Sequence, residues 1–122
     1  MDFATAISTC MVKKYADFSG RASRSEFWFC QLFFLIIGFI VGIIDAMVLG
    51  YVYEAGPFEL ISYVIIIIPA IAVTARRLHD VNLSGWWQLI ALTIVGIPIY
   101  LYWLIIKGTD GNNDFGSDSI AS

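Results

Sequence analysis

Charge is scarce in this chain. Only 14% of its 122 residues are Asp, Glu, Lys or Arg, against about a quarter in an ordinary soluble domain. A chain this short exposes too much surface to explain the deficit by a large buried core. A single histidine argues against a transition-metal site. The two cysteines, Cys10 and Cys30, match no metal motif in their spacing and read as small apolar fillers. There is no basic field suited to nucleic acid. No internal repeat supports an inverted-repeat transporter. No positioned nucleophile or second histidine completes a catalytic site. The expectation is a non-enzyme without metal or cofactor.

Hydrophobic residues, at 59% of the chain, supply what charge does not. Residues 27–49, 58–75 and 86–106 form three apolar stretches, each near the ~20 residues that cross a bilayer as helix. Lys13, Lys14, Arg21 and Arg24 precede the first stretch, and no basic residue separates the first from the second. Arg76 and Arg77 lie between the second and third, and Lys107 follows. This alternation is the positive-inside pattern of a multi-pass membrane protein. It predicts an all-α bundle of three transmembrane helices, with the N-terminus cytoplasmic and the C-terminus periplasmic. The rival path has the tail inside, if one proline-containing span doubles back. The first stretch is too long for the ~7–15-residue core of a cleavable signal and lacks a small-x-small cleavage site, so it reads as an anchor.

Residues 2–18 are amphipathic, with Phe3, Ile7, Met11, Tyr15 and Phe18 on one helical face. Such a helix lies in the membrane interface or packs on the bundle. Ser23 and Glu26 form a capping box that starts the first span. Trp28 falls at the depth of the aromatic belt. Gly38 and Gly42 are a small-x-x-x-small step for close helix packing, with the same chain favoured over a second copy as partner. Asp45 lies ~27 Å along the helix from Phe27. That depth is near the far interface, where a carboxylate reaches water, and Asp45 is expected to be dispensable. Pro69 and Pro98 predict kinks. Residues 107–122 read as a flexible tail. Asp110, Asn112, Asp114 and Asp118 resemble the start of a calcium loop, but Phe115 and Ala121 stand where that loop wants Gly and Glu.

The most specific stretch runs from Ala75 to Trp87, Ala-Arg-Arg-Leu-His-Asp-Val-Asn-Leu-Ser-Gly-Trp-Trp. Arg76 and Arg77 stop the second span, and Asp80 is placed to pair with Arg76 at i,i+4. Trp86 and Trp87 anchor re-entry. Together with Phe18–Trp28 and the tail motif Gly108-Thr109-x-Gly111-x-Asn113-x-Phe115-Gly116, this stretch resembles the bacterial inner-membrane family catalogued as domain of unknown function 805. The resemblance spans nearly the whole chain. It implies a small multi-pass inner-membrane protein and supplies no established activity. Asp114 departs from the basic residue often found there in the family, which speaks against anion binding by the tail.

Arg21, Arg24, Arg76 and Arg77 are expected to meet Glu26, His79 and Asp80 at the cytoplasmic interface. Charges at such depth are costly unless paired or hydrated. Two roles suit them: a salt-bridge cluster that fixes the helices, with Glu26, Asp80, Trp28, Trp86 and Trp87 as structural partners, or a site for an anionic lipid headgroup. The structural role is favoured. The expected function is a structural, interaction or envelope-maintenance component. The alternative is a small protein that binds or transports a lipid or anionic ligand. Its partners would be the bilayer, with or without anionic headgroups, and another membrane protein or a second copy.

Overall fold

The computed structural model describes residues 2–51, 54–109 and 111–116. Helix α1 (Phe3–Ser8) continues as a π-helical turn over Thr9–Lys13. Helices α2 (Arg24–Leu49) and α3 (Pro57–Asp80) follow. A 3-10 helix (Gly85–Leu92) and helix α4 (Gly96–Ile105) complete the order. No strand is present among the described residues.

Helices α2 and α3 carry the membrane character. With 26 and 24 residues, they reach ~39 and ~36 Å, more than the ~30 Å hydrocarbon core. Their apolar surface is open to the surroundings: Leu35 and Phe39 are each 71% exposed and Val64 is 70% exposed. Water would penalise such a surface heavily, whereas lipid tails solvate it. Ser23 caps α2 through a bond from the Glu26 amide at 3.3 Å, and Gly50 closes it in the left-handed conformation at φ 78°.

The packed core occupies one end of the helix pair, the arginine end. Residues 72–78 of α3 are all buried. Val73, one of them, clusters with Ala6, Cys10, Ala22, Phe27, Cys30 and Leu104. Helix α1 belongs to this core. Its buried side consists of the small residues Ala6, Thr9 and Cys10, rather than the large apolar face that periodicity selects. Small residues let α1 approach α2 closely, and Phe3 meets Phe29 edge-to-face at 5.8 Å. Helical structure ends at Lys13, short of the expected residue 18.

Pro69 sits inside α3 without ending it. A proline ring cannot donate to the carbonyl four residues earlier, here that of Ile65. The Tyr15 hydroxyl donates to that carbonyl instead. The N-terminal segment thus satisfies the backbone group that Pro69 leaves without its helical donor.

The stretch expected as a third spanning helix, residues 86–106, is broken. The 3-10 leg ends at Leu92, and α4 begins at Gly96. Thr93 makes the turn: its hydroxyl donates to Ile90 O at 2.8 Å and accepts from Gly96 N at 3.0 Å. Gly96 is required there, because a Cβ would meet the Ile90 carbonyl and stand 2.5 Å from Thr93 Oγ1. Pro98 falls in the first turn of α4, where an amide has no helical acceptor, so it starts a helix rather than kinking one. The two legs fold back on each other. Trp87 and Trp103 meet edge-to-face at 5.8 Å, and both ends of the stretch return to the arginine end of α3. The 8-residue 3-10 leg and 10-residue α4 span ~16 and ~15 Å, each about half a bilayer core.

The tail follows the hairpin to that same end. Thr109 N donates to Asp80 O at 2.7 Å, and Asn113 bridges to Gly116 in a tight turn. Residues 107–109 and 111–116 are therefore held against the fold instead of trailing free. Asp110, Asp118 and Ala121 of the calcium-loop pattern lie outside the described residues.

Candidate functional site

Three arginines from two segments converge at the end of α3. The side chains of Arg76 and Arg77 are fully buried, and that of Arg21 is 1% exposed. Burial at this level demands partners for every charge. Asp80 serves two of them: Oδ1 accepts from Arg21 Nε at 2.9 Å and Oδ2 from Arg77 Nη1 at 2.8 Å. Arg76 Nη1 pairs with Glu26 of α2. The i,i+4 pairing of Arg76 with Asp80 is thus corrected. Both residues lie in α3 at a spacing that would allow the pair, but Glu26 of α2 takes Arg76, and Arg21 and Arg77 occupy the two oxygens of Asp80. His79 and Asp80 diverge as neighbours on a helix must, His79 toward Gly20 and Asp80 toward the arginines.

Backbone carbonyls complete the cluster. Arg21 donates to Thr109 O and to Gly111 O, the latter at 2.6 Å. Arg77 donates to Leu104 O at 3.3 Å and to Ile106 O. Arg24, which is exposed, reaches Ile105 O at 3.4 Å, and Trp28 Nε1 reaches Leu104 O at 3.2 Å. The carbonyls of Leu104, Ile105 and Ile106 lie at the C-terminal end of α4, where helical donors are lacking and the helix dipole is negative. Two arginines and a tryptophan from other elements therefore cap α4. Arg76 Nε donates to Asp17 O at 3.2 Å. Arg76 Nη2 is buried without a hydrogen-bond partner among the described residues. Bonds from the Ser19 hydroxyl and amide hold the Asp17 carboxyl below its usual pKa.

The tail is seated on the same cluster. The His79 ring lies flat on Phe115, with centroids 4.1 Å apart and planes within 2°. His79 Nδ1 is 2.8 Å from Gly20 O, and Asn113 Nδ2 donates to His79 O at 2.8 Å. Gly108 passes so close to Asp80 that any Cβ would strike its carboxylate. Sequence reasoning did not assign roles to Thr109, Asn113 and Phe115. Their only signal was membership of a shared motif.

The remaining expected residues fall elsewhere. Gly42 faces α3, where a Cβ would stand 2.5 Å from Glu59 Oε1, while Gly38 has nothing within 4 Å. Gly42 therefore seats a carboxylate, which Tyr63 also contacts at 3.2 Å. Trp87 packs on Trp103, whereas Trp86 is 79% exposed. Asp45 is fully buried, against expectation. It accepts from Glu59 N at 2.8 Å and Phe58 N at 3.3 Å. It thereby caps α3, whose own N-cap residue, Gly56, has no side chain.

The segments that build this cluster coincide with the three stretches of family resemblance. A family model described as protein of unknown function (DUF805) matches residues 15–117. The chain belongs to this family. It is 39% identical over 116 residues to the inner membrane protein YhaH of Escherichia coli (strain K12), covering 88% of this chain and 91% of that one. It is 34% identical over 109 residues to the inner membrane protein YhaI of the same strain, covering 88% and 90%. No solved structure matches the chain. The family match includes every arginine of the cluster and the tail that covers it, whereas α1 lies before it. These are bacterial inner-membrane proteins, and the apolar surface of α2 and α3 fits that setting.

Proposed function

We propose that the protein is a small structural or interaction component of the bacterial inner membrane, with the arginine cluster as its internal lock. It crosses the membrane twice, through α2 and α3. Residues 85–105 dip in and return as a hairpin, and α1 lies along the cytoplasmic interface. Charge distribution supports this path. All seven Lys and Arg residues, namely Lys13, Lys14, Arg21, Arg24, Arg76, Arg77 and Lys107, then share the cytoplasmic side. A third crossing would place Lys107 alone outside, a weaker positive-inside pattern.

The observation that carries the structural reading is where the arginine donors point. Apart from Arg76 Nη2, the donors of Arg21, Arg76 and Arg77 are directed to Asp80, Glu26 and six backbone carbonyls of the same chain, those of Asp17, Leu104, Ile106, Thr109, Gly111 and Gly116. An anion-binding site would instead turn its guanidinium forks outward. The cluster fastens the loop before α2, the end of α3, the end of α4 and the tail to one another.

A double-mutant cycle on Glu26 and Arg76 tests the role. Glu26→Gln and Arg76→Gln should each lower thermal stability in detergent. The double substitution should cost less than their sum, by about 1–3 kcal/mol. Bound anionic lipid should be unchanged in the Glu26→Gln protein. Single variants with normal stability that lose co-purified anionic lipid would overturn the structural reading in favour of headgroup binding.

A further inference from the structure

Beside the arginine cluster lies a cleft of about 380 Å³. Phe18 and Trp86 flank it, and Ala75 and Gly85 form part of its wall. It follows one stripe of α3. His79 is at the arginine end and Ile71 is eight residues away, ~12 Å deeper along the helix. The cleft is therefore polar at its interfacial end and mainly apolar inside. No Lys, Arg, Asp or Glu lines it.

Three polar side chains enter it: His79, Ser84 and Gln88. His79 Nδ1 faces the Gly20 carbonyl, so Nδ1 carries the proton that this bond needs. In the neutral ring Nε2 then holds a lone pair, and it has no partner among the described residues. Ser84 Oγ accepts from Trp86 N at 3.3 Å, which leaves its hydrogen to donate. The Gln88 carboxamide has no hydrogen-bond partner among the described residues, and it also lines a second cleft beside Gln31 and Tyr100. Unmatched polar groups at membrane depth are unfavourable, so a ligand that matches them is favoured.

We propose that this cleft binds one membrane-dissolved amphiphile with an uncharged, hydroxyl-bearing head and an apolar chain. The hydroxyl donates to His79 Nε2 and accepts from Ser84. Gln88 satisfies a second oxygen of the head. The chain runs along Ile71 toward the bilayer interior. A phosphate head is disfavoured because no cation lines the cleft. Two sources share this chemistry, an acylglycerol and an isoprenoid quinol.

Native mass spectrometry of the full chain released from phosphatidylcholine nanodiscs tests the site. The probes are 1-oleoylglycerol and decyl-ubiquinol, with dioleoylphosphatidylglycerol as the anionic comparison. Ile71→Trp fills the cleft from a side chain already 41% exposed, and Gln88→Leu removes the amide while suiting lipid. A one-to-one adduct with either neutral probe is expected, at least tenfold weaker in both variants. Retention of the monoacylglycerol alone assigns an acylglycerol, and retention of the quinol alone assigns a quinol. Absence of any adduct, equal retention of phosphatidylglycerol, or undiminished binding by both variants would each overturn the proposal.

Discussion

Asp80→Ala is expected to cost about 3–5 kcal/mol of stability, the range for removing one member of a buried ion pair. The residue holds Arg21 at 2.9 Å and Arg77 at 2.8 Å, and all three side chains are at most 3% exposed. Its loss leaves two guanidinium groups facing each other without the charge between them. Asp80→Asn keeps the shape but not the charge and should fall between the two. Arg77→Ala should also destabilise, but less, because Asp80 would retain Arg21. Thermal unfolding in mild detergent, followed by loss of monodisperse protein, reads all three. Wild-type stability of Asp80→Ala would mean that the cluster does not hold the fold together.

Asp45→Ala is expected to cost about 2 kcal/mol, combining a lost N-cap with amides left unsatisfied in a buried setting. The carboxylate comes from α2 and caps α3 across the connecting loop, so its loss loosens both helices at the end remote from the cluster. Asp45→Asn retains an acceptor and should cost less than half as much. Gly56→Ala should destabilise in the same direction, because its Cβ would stand 2.5 Å from Asp45 Oδ2. Unfolding midpoints of the three variants check the order. An Asp45→Ala protein that melts with the wild type would restore the expectation of a dispensable, water-facing carboxylate.

Hydropathy made α2 and α3 legible, because a long apolar run has one economical structure in lipid. It also located the arginine end. It did not reveal the hairpin, because two short apolar legs have the same composition as one long helix. Thr93, Gly96 and Pro98 marked the break, but a proline within an apolar run reads equally as a kink. The buried side of α1 was missed for a related reason. In a membrane protein large apolar residues can face lipid while small ones pack, so the apolar stripe does not identify the core face. Asp45 stood out as the one acid of its apolar run, yet its role depends on an amide pair supplied by the next helix. Within the cluster the residue types were legible and the partners were not. Arg76 could be matched to Asp80 along the sequence, whereas Glu26 reaches it only after α2 and α3 pack.

The path of the chain is tested most directly by the side on which its tail emerges. Paired alkaline phosphatase and green fluorescent protein fusions after Gly116, at the N-terminus and after Gly50 would read it. The two-crossing path with a returning hairpin predicts a cytoplasmic signal after Gly116 and at the N-terminus, with a periplasmic signal after Gly50. A periplasmic signal after Gly116 would contradict it, because Arg21 and Asp80 could not then hold the tail from the other side of the membrane.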